Sequence, residues 1–241
     1  MEYYCITDIG LVREKNQDSY LAIENRHGDL LALVADGIGG GKAGEVASGE
    51  LIRYFEEHFP ESGPFSGLQD AANYILYHMD QANRHIYDLS RHYSDFSGMG
   101  TTVTGVLISS CGILSINCGD SRVYGFLDDM TVRLTRDDTL VNRMLENGEI
   151  SYEEAVNHPK KHYLVKAIGI FDHIDTDVHK VRDMDYYLIC SDGLHSYVSD
   201  EEIATIVTDH TKSVEEKTVE LKDLALLKGG YDNITIILIR R

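Results

Sequence analysis

The sequence is poor in basic residues and has no long apolar run. Its 22 Lys and Arg residues face 40 Asp and Glu residues, so the formal net charge is −18 and the isoelectric point is near 4.9. This charge argues against nucleic acid or an anionic membrane as the main partner. No segment approaches the roughly 18 uninterrupted apolar residues of a membrane span, and the N-terminal MEYYCITDIG does not resemble a signal peptide. We therefore expect a cytoplasmic protein with no nucleic-acid or membrane partner.

Cysteine is also scarce, and its spacing does not suggest a metal site. Cys5, Cys111, Cys118 and Cys190 lie in apolar, strand-like runs and form no CxxC pair. Buried, reduced thiols are the simplest interpretation, and no zinc site is expected. The chain also has no internal repeat, low-complexity tract or obvious linker, so residues 1–241 are predicted to form one domain.

Hydrophobic periodicity predicts two long helices in the first half of the chain. Apolar residues recur at helical spacing in two segments, about 43–59 and 68–93. Short apolar runs follow between residues 101 and 134, separated by turns of a few residues. Connections this short favour antiparallel strands.

The second half of the chain is less regular at first and then repeats this alternation. The segment of about residues 145–185 is polar and is interrupted by Pro159. A short strand follows, then two helices between residues 199 and 227, and a last strand at about 234–239. Because helices come in pairs and strands in runs, the pattern predicts an α+β fold.

Five aspartates stand at the ends of apolar runs or in turns, and most of them have glycine nearby. The motif VADG places Asp36 at the end of the first such run, and CSDG does the same for Asp192. The motifs NQDS, CGDSR and GGYDN carry Asp18, Asp120 and Asp232. If the strands stack, these carboxylates can converge at one rim, where bound cations would relieve their repulsion. Oxygen ligands suit hard ions such as Mg²⁺ and Mn²⁺, so the sequence predicts a divalent metal site.

The glycine-rich stretch after Asp36 has a second interpretation. Residues Gly39–Gly44 (GGGKAG) fit the GxGxxG pattern of dinucleotide-binding loops. That fingerprint also needs a second strand that ends in an acidic residue about 20 positions on, where this chain has a loop and then a helix. A Walker A loop is not predicted, because Ala43 takes the Ser or Thr position. Dinucleotide binding stays an alternative.

Two sets of histidines have spacings that could suggest metal ligands. His78, His85 and His92 recur every seven residues on the second long helix. A polar stripe beside the core is the simpler interpretation, because seven helical residues span about 10 Å. His158 and His162 have the spacing of a helical metal pair, but the proline between them disfavours a regular helix. Neither set is predicted to bind a metal.

Six motifs follow one another along the chain: DIGLVREKNQD, VADGIGGGKAGEVAS, MGTTV, CGDSRVY, CSDGL with VSDEEI, and GGYDNIT. Together they resemble the type 2C family of metal-dependent protein phosphatases in its compact bacterial form. The resemblance covers residues 8 to about 237. It implies a four-layer α/β/β/α sandwich, in which two mainly antiparallel sheets are flanked by helix pairs. It also implies a centre of two divalent ions, Mn²⁺ or Mg²⁺, at one edge of the sheets.

The family pattern implies a metal-binding role for four residues of these motifs. Asp36 would bridge the two metals, and the backbone carbonyl of Gly37 would bind one of them. Asp192 and Asp232 would bind the other metal. These four residues would form the core of the centre.

Three further residues are implied by the same resemblance. Asp18 would support the centre directly or through water. Asp120 would hold a third, weaker metal together with Asp192. Arg13 falls where the family has a phosphate-binding arginine, whose planar fork of donors matches phosphate oxygens.

The resemblance implies a Ser/Thr protein phosphatase that hydrolyses its substrate directly. A hydroxide that bridges the two metals would attack the phosphorus of phosphoserine or phosphothreonine in a protein, without a phosphoenzyme. A Ser/Thr protein kinase would be the antagonist. A phosphoprotein-binding pseudophosphatase is the other alternative, although no core ligand is lost from the sequence.

The chain departs from the family pattern around the site. Ile38 stands where some eukaryotic members carry a histidine that is proposed to protonate the leaving group, and Gly41 stands where many bacterial relatives have histidine. The stretch HPKKHYLVKAIG also lacks the usual Arg-Asn and Thr-Arg pairs. This stretch lies in the irregular segment of about residues 145–185, which corresponds to the family's substrate-selecting flap.

Overall fold

The structure, a computed structural model, describes residues 1–39, 43–128 and 130–241 and contains two packed β-sheets. The strands are β1 (Glu2–Asp8), β2 (Asp18–Glu24), β3 (Leu30–Ile38), β4 (Gly100–Thr101), β5 (Val103–Ser109), β6 (Gly112–Cys118), β7 (Arg122–Leu127), β8 (Met130–Arg133), β9 (Asp177–Val181), β10 (Tyr186–Cys190) and β11 (Ile234–Arg240). One sheet has the order β1-β11-β10-β7-β8. The other has the order β2-β3-β5-β6-β9, and β4 pairs with the end of β3. The described pairings are antiparallel.

Helices cover the outer face of each sheet. The described helices are α1 (Gly44–His58), α2 (Leu68–His92), α3 (Leu140–Glu146), α4 (Tyr152–Val156), α5 (Asp192–His195), α6 (Asp200–Val207) and α7 (Val214–Leu227), of which α3 and α4 lie outside the packed layers. Helices α1 and α2 pack on the sheet that contains β3, and α5 to α7 pack on the sheet that contains β11. The four layers confirm the predicted α+β sandwich. None of the described helices is long and apolar enough to cross a membrane.

Strand β3 is buried on both faces, which explains the continuous apolar run that begins at Leu30. Leu30 and Val34 pack between the two sheets, in one cluster with Ile237 of the opposite sheet. Leu31 and Leu33 point the other way and pack beneath α1 and α2. Since successive side chains of a strand alternate between its faces, a strand covered on both sides needs apolar residues at every position.

The expectation that this strand stops at Asp36 is wrong. β3 continues to Ile38, because β4 pairs with its last residues and gives their backbone groups partners. The register places Gly37 opposite Thr101 and Ile38 opposite Gly100. Asp36 therefore lies inside a paired strand rather than in a turn.

The segment of about residues 145–185 contains more structure than the sequence pattern indicates. Helix α4 begins at a capping box, in which Ser151 and Glu154 bond to each other's backbone amides. The edge strand β9 (DVHKV) is short, polar and half-buried, so it lacks the alternation that marks a strand. Residues 40–42 of the glycine-rich loop lie outside the described residues. The dinucleotide-binding alternative depends on these residues and therefore stays a prediction. The assignment of residues 1–241 to one domain stays a prediction.

Candidate metal centre

The pairing of β2 with β3 places two of the predicted carboxylates side by side. Asp18, the first residue of β2, is the direct partner of Asp36 in β3. Directly opposed residues of antiparallel strands have Cβ atoms about 5 Å apart. Thr102 fixes the backbone of Asp36 from the other side: the Asp36 amide donates to Thr102 Oγ1 over 3.0 Å, and the Thr102 amide donates to the Asp36 carbonyl over 2.8 Å.

Glycine follows two of the aspartates because another part of the backbone lies against it. A Cβ atom on Gly37 would lie 2.2 Å from the carbonyl oxygen of Gly44, at the start of α1. A Cβ atom on Gly193 would lie 1.9 Å from the carbonyl oxygen of Asn233. Both distances are far below van der Waals contact, so these positions exclude any side chain. The Asp-Gly motifs thus bring the segments around the site into close contact.

A cavity of about 270 Å³ collects most of the predicted site residues. Arg13, Asp36, Gly37, Asp120, Asp192 and Asp232 all line it. Asp18 does not line this cavity; it is buried next to Asp36 in the sheet. Asp192 is the first residue of α5, one residue after the end of β10, and Asp120 lies in the turn between β6 and β7. The topology therefore brings together carboxylates that are distant in sequence.

Arg13 and Asp232 are held in place by the neighbouring Asn233. Arg13 donates to Asp232 with a distance of 2.6 Å between Nη2 and Oδ2. The side-chain amide of Asn233 donates to the carbonyls of Ile9 and Lys15, each over 2.9 Å. This amide therefore fastens the loop that carries Arg13 to the chain just before β11. The Arg13 side chain remains half exposed at the mouth of the cavity.

Asp18 has one satisfied and one unsatisfied carboxylate oxygen. Ser191 donates from Oγ to Asp18 Oδ2 over 2.7 Å, and the Thr235 amide in turn donates to Ser191 Oγ over 3.0 Å. Asp18 Oδ1 is buried and has no hydrogen-bond partner among the described residues. A buried polar atom without a partner is costly unless a ligand, ion or water satisfies it.

Crowding and burial hold the pKa values of these carboxyl groups above the usual range. Burial raises the pKa of Asp18 to about 6 and that of Asp120 to about 6. The pKa of Asp36 is raised well above the usual value by burial and then by the charge of Asp18. The pKa of Asp192 is raised in the same way, by burial and then by the charge of Asp120. A nearby positive charge would reverse both effects by stabilising the ionised carboxylates.

These observations fit a divalent cation. The donors around the cavity are mainly carboxylate oxygens, which Mg²⁺ and Mn²⁺ prefer. The buried Asp18 Oδ1 has no hydrogen-bond partner, and the pKa values of Asp36 and Asp192 are raised. Both observations indicate that the carboxylates lack enough hydrogen-bond donors or positive charge from the described residues. The arrangement can therefore bind a cation and, through Arg13, an anionic group beside it.

His162 is a residue of this site that the sequence interpretation missed. One possible ligand atom each of Asp120, His162 and Asp192 lies within 4.8 Å of the others. His162 also lines the cavity, whereas His158 does not. His158 and His162 were not expected to bind a metal because no regular helix was predicted there, and the structure confirms that no helix contains them. The absence of a helix does not prevent His162 alone from reaching carboxylates on other elements, a contact for which the local sequence gives no signal.

The histidines of α2 make other contacts. His78 Nδ1 lies 2.9 Å from the Tyr54 hydroxyl, and His85 Nε2 lies 2.8 Å from Glu50 Oε2. Both contacts join α2 to α1 along a polar groove that has a volume of about 670 Å³. His92 is exposed, with Nδ1 2.7 Å from the Asp88 carbonyl oxygen of its own helix. The predicted polar stripe is therefore confirmed in the described residues.

Comparison with known proteins gives consistent matches over almost the whole chain. Residues 12–226 match the sequence model of the family described as protein phosphatase 2C. A putative protein phosphatase 2C-type of Streptococcus pyogenes is 37% identical over 97% of this chain and 94% of its own length. The serine/threonine phosphatase stp of Listeria welshimeri is 33% identical over 98% of this chain and 94% of its own.

Solved structures give the same result. The serine/threonine phosphatase Stp1 from Staphylococcus aureus superposes with a TM-score of 0.92 at 30% identity, over 100% of this chain and 94% of that one. The S. agalactiae serine/threonine phosphatase superposes with a TM-score of 0.90 at 36% identity, over 98% of each chain. These similarities extend over almost the whole chain and therefore include both sheets and their flanking helices.

Proposed function

Because this chain belongs to the protein phosphatase 2C family of metal-dependent Ser/Thr protein phosphatases, we propose that its carboxylate cavity holds two divalent ions. Phosphorylated proteins are the substrates of this family, and the chain is an enzyme of that class. Mn²⁺ or Mg²⁺ are the proposed ions, since the donors are carboxylate and carbonyl oxygens. The observation that carries the proposal is the convergence of Asp36, Asp192 and Asp232 on one cavity beside an arginine.

The four core residues divide between the two proposed ions. Asp36 would be the ligand that both ions share, and the Gly37 carbonyl would bind one of them. Asp192 and Asp232 would bind the other ion. Asp18 would support the centre from the neighbouring strand, where its unpaired oxygen could meet an ion directly or through an intervening water. The bound ions would supply a nucleophile at neutral pH and offset the charge of the phosphoryl oxygens.

Arg13 is the proposed phosphate-binding residue. Its guanidinium lies at the cavity mouth and is oriented by the bond to Asp232. A guanidinium can donate two parallel hydrogen bonds to a phosphate group, which binds the group and fixes its orientation. Arg13 would thus hold the phosphoryl group over the carboxylates that carry the ions.

The cysteines support hydrolysis without a thiol nucleophile. Cys118 and Cys190 are fully buried, and burial raises the pKa of each thiol far above neutral. A protonated thiol is a poor nucleophile. The four cysteines are also free, as in proteins of reducing compartments. The cytoplasm is the proposed location, and a Ser/Thr protein kinase that makes the phosphorylated substrates is the proposed antagonist.

The test is hydrolysis of a phosphothreonine peptide by metal-stripped protein before and after addition of Mn²⁺. We expect turnover to require the metal, and we expect Asp36→Asn and Asp192→Asn to abolish it while the circular dichroism spectrum is unchanged. Asp95→Asn, which removes an exposed carboxylate outside the cavity, is the matched control. Normal turnover in both cavity variants would refute the two-ion centre. Metal binding without any turnover would identify a phosphoprotein-binding pseudophosphatase instead.

A further inference from the structure

The two chain segments that lead to Arg13 and Asp232 expose apolar side chains to solvent. Leu227, Leu11 and Val12 are 83%, 69% and 59% exposed, more than any other large aliphatic residue in the described part of the chain. Single exposed apolar residues are common on protein surfaces, but a contiguous group of them often marks a binding site. The contacts of these two segments decide which case applies.

The two segments lie side by side. The Leu11 amide donates to the Gly230 carbonyl over 2.7 Å. Leu11 Cγ and Leu226 Cδ2 lie 2.9 and 3.1 Å from the position that a Cβ atom would take on Gly230. Leu226 is partly buried and packs against the apolar core under α5 to α7. Leu11 therefore rests on the second segment, while most of its own side chain faces solvent.

Tyr231 extends the exposed apolar surface along the second segment. It is an exposed tyrosine whose ring centroid lies 5.3 Å from that of Tyr197. A Cβ atom on Gly229 would lie 2.2 Å from Cε2 of this ring, so the ring lies against the Gly229 backbone. An aromatic ring held in this way offers its free face to an apolar ligand.

Each segment carries an apolar residue directly before a residue of the cavity. Val12 precedes Arg13, and Tyr231 precedes Asp232. We call Leu11, Val12 and Tyr231 the apolar rim. None of the three lines the cavity itself, so a phosphate group held there would not occupy the rim. Three residues of extended peptide span up to about 10 Å, so a neighbour of the phosphorylated residue can reach the rim.

The position of the rim beside Arg13 favours a phosphopeptide over a second copy of this chain. A phosphopeptide supplies an anionic group for Arg13 and, a few residues away, an apolar side chain for the rim. A second copy would bring another net charge of −18, and the repulsion between the two copies would oppose association.

We propose that the apolar rim binds an apolar side chain within three positions of the phosphorylated residue, so that the enzyme prefers phosphopeptides with leucine or phenylalanine there. This inference deepens the proposed function and rests on it, because the phosphate group must lie at Arg13. Burial of the substrate side chain against Leu11 and Tyr231 would stabilise the bound peptide by the hydrophobic effect. Part of the substrate selectivity would thus come from the β1–β2 loop and the chain before β11.

The first experiment measures kcat/KM for phosphothreonine peptides that differ at one position. Each position, from three before to three after the phosphothreonine, carries either leucine or serine. The proteins are the wild type, Leu11→Ser, Val12→Ser and the control Leu76→Ser, which changes an exposed leucine of α2 that does not line the cavity. The readout is the ratio of kcat/KM for the leucine peptide to that for the serine peptide within each protein. A variant that only displaces Arg13 would lower both values and leave this ratio unchanged.

We expect the wild type to prefer leucine to serine by roughly tenfold at one position or more. Leu11→Ser and Val12→Ser should each lower this preference to roughly threefold or less, because the contact area is reduced. Leu76→Ser should keep the wild-type ratio. A wild-type ratio near one at every position would overturn the inference, as would equal ratios in the wild type and both rim variants. If the ratio is unchanged and Leu11→Ser instead dissociates a dimer, the rim is a contact between copies and the inference is wrong.

The second experiment locates the bound side chain and does not need turnover. A peptide carries a non-hydrolysable phosphonate analogue of phosphothreonine and, at each neighbouring position in turn, a photoreactive diazirine analogue of leucine. After illumination, mass spectrometry identifies the attached residue of the protein. We expect attachment to Leu11, Val12 or Tyr231, and much weaker labelling by a peptide with threonine in place of the phosphonate. Attachment only to the segment of about residues 145–185 would overturn the inference.

Failure of this inference is distinguishable from failure of the proposed function. If the proposed function fails, the wild type hydrolyses none of the peptides with Mn²⁺, and the photoreactive peptide still reports whether the rim binds an apolar side chain. If only the inference about the rim is wrong, Mn²⁺-dependent hydrolysis persists and is lost in Asp36→Asn, while the leucine-to-serine ratio is near one and the label attaches elsewhere.

Discussion

Replacing Asp18 with asparagine is expected to stabilise the metal-free protein and to weaken its stabilisation by metal. Burial raises the pKa of Asp18 from 3.8 to about 6. One pKa unit corresponds to about 1.4 kcal/mol, so ionised Asp18 costs the folded state about 3 kcal/mol at pH 7. Asparagine has nearly the same shape and keeps an oxygen that can accept the bond from Ser191, but it carries no charge.

The pH dependence follows from the direction of this shift. A carboxyl group with a raised pKa in the folded state keeps its proton to a higher pH than in the unfolded state. Its contribution to stability is therefore greatest below about pH 4 and is lost as the pH rises towards 6. The advantage of Asp18→Asn should be largest at pH 7 and should shrink as the pH falls.

The assay is urea unfolding, followed by far-UV circular dichroism because the chain has no tryptophan. In chelator at pH 7, Asp18→Asn should raise the free energy of unfolding by up to about 3 kcal/mol. With saturating Mn²⁺ the wild type should gain more stability than the variant, since a cation offsets the charge that asparagine lacks. Asp95→Asn removes the same charge from an exposed site and should change neither value. An Asp18→Asn protein that is no more stable than wild type in chelator would refute the account of crowded carboxylates.

Two further predictions concern the arginines near the site. Arg13→Ala should raise KM for a phosphopeptide by roughly tenfold or more and lower kcat less, because a charge-assisted bond to the phosphate is lost. The KM of Arg13→Lys should lie between those of the wild type and Arg13→Ala. A loss that falls mainly on kcat would contradict a phosphate-binding role. Asp137→Asn should lower the free energy of unfolding by about 3 kcal/mol, because it breaks the buried pair in which Arg122 donates to both Asp137 oxygens over 3.0 and 2.7 Å. Although burial raises the pKa of Asp137, the hydrogen bonds from Arg122 outweigh this effect and leave the pKa lowered. The wild type should therefore be more stable than Asp137→Asn above about pH 4, and this difference in the free energy of unfolding should be lost in acid. Urea unfolding of both proteins at two pH values measures the difference.

The sequence predicts well those features of the site that are local in the chain. Asp-Gly pairs are visible as motifs, and the structure shows a steric reason for the glycines at Gly37 and Gly193. Paired helices and runs of strands predict the α+β fold class. The four-layer arrangement was predicted only by the family resemblance. The continuous apolar run in β3 is explained by burial on both faces.

Features that depend on distant partners are not visible in the same way. Asp36 is not at a strand end, because β4, more than 60 residues later, extends the pairing of β3. Strand β9 is too short and polar to show a period of two, and its pairing with β6 alone defines it. His162 has no local feature that distinguishes it from His158; only the positions of Asp120 and Asp192 do.

The pairing of β1 with β11 has a consequence for the protein while it is being synthesised. β1 is an edge strand whose described partner is β11, and all seven of its residues pair with that strand. A ribosome-bound chain therefore carries β1 as an unpaired edge until β11 has been synthesised, more than 220 residues later, and such edges invite association with other chains. Arg13 and Asp232 also meet only when β11 is in place. A nascent chain that stops short of Asp232 thus lacks one proposed metal ligand and the anchor of its proposed phosphate-binding arginine, so phosphatase activity should appear only after β11 has been synthesised.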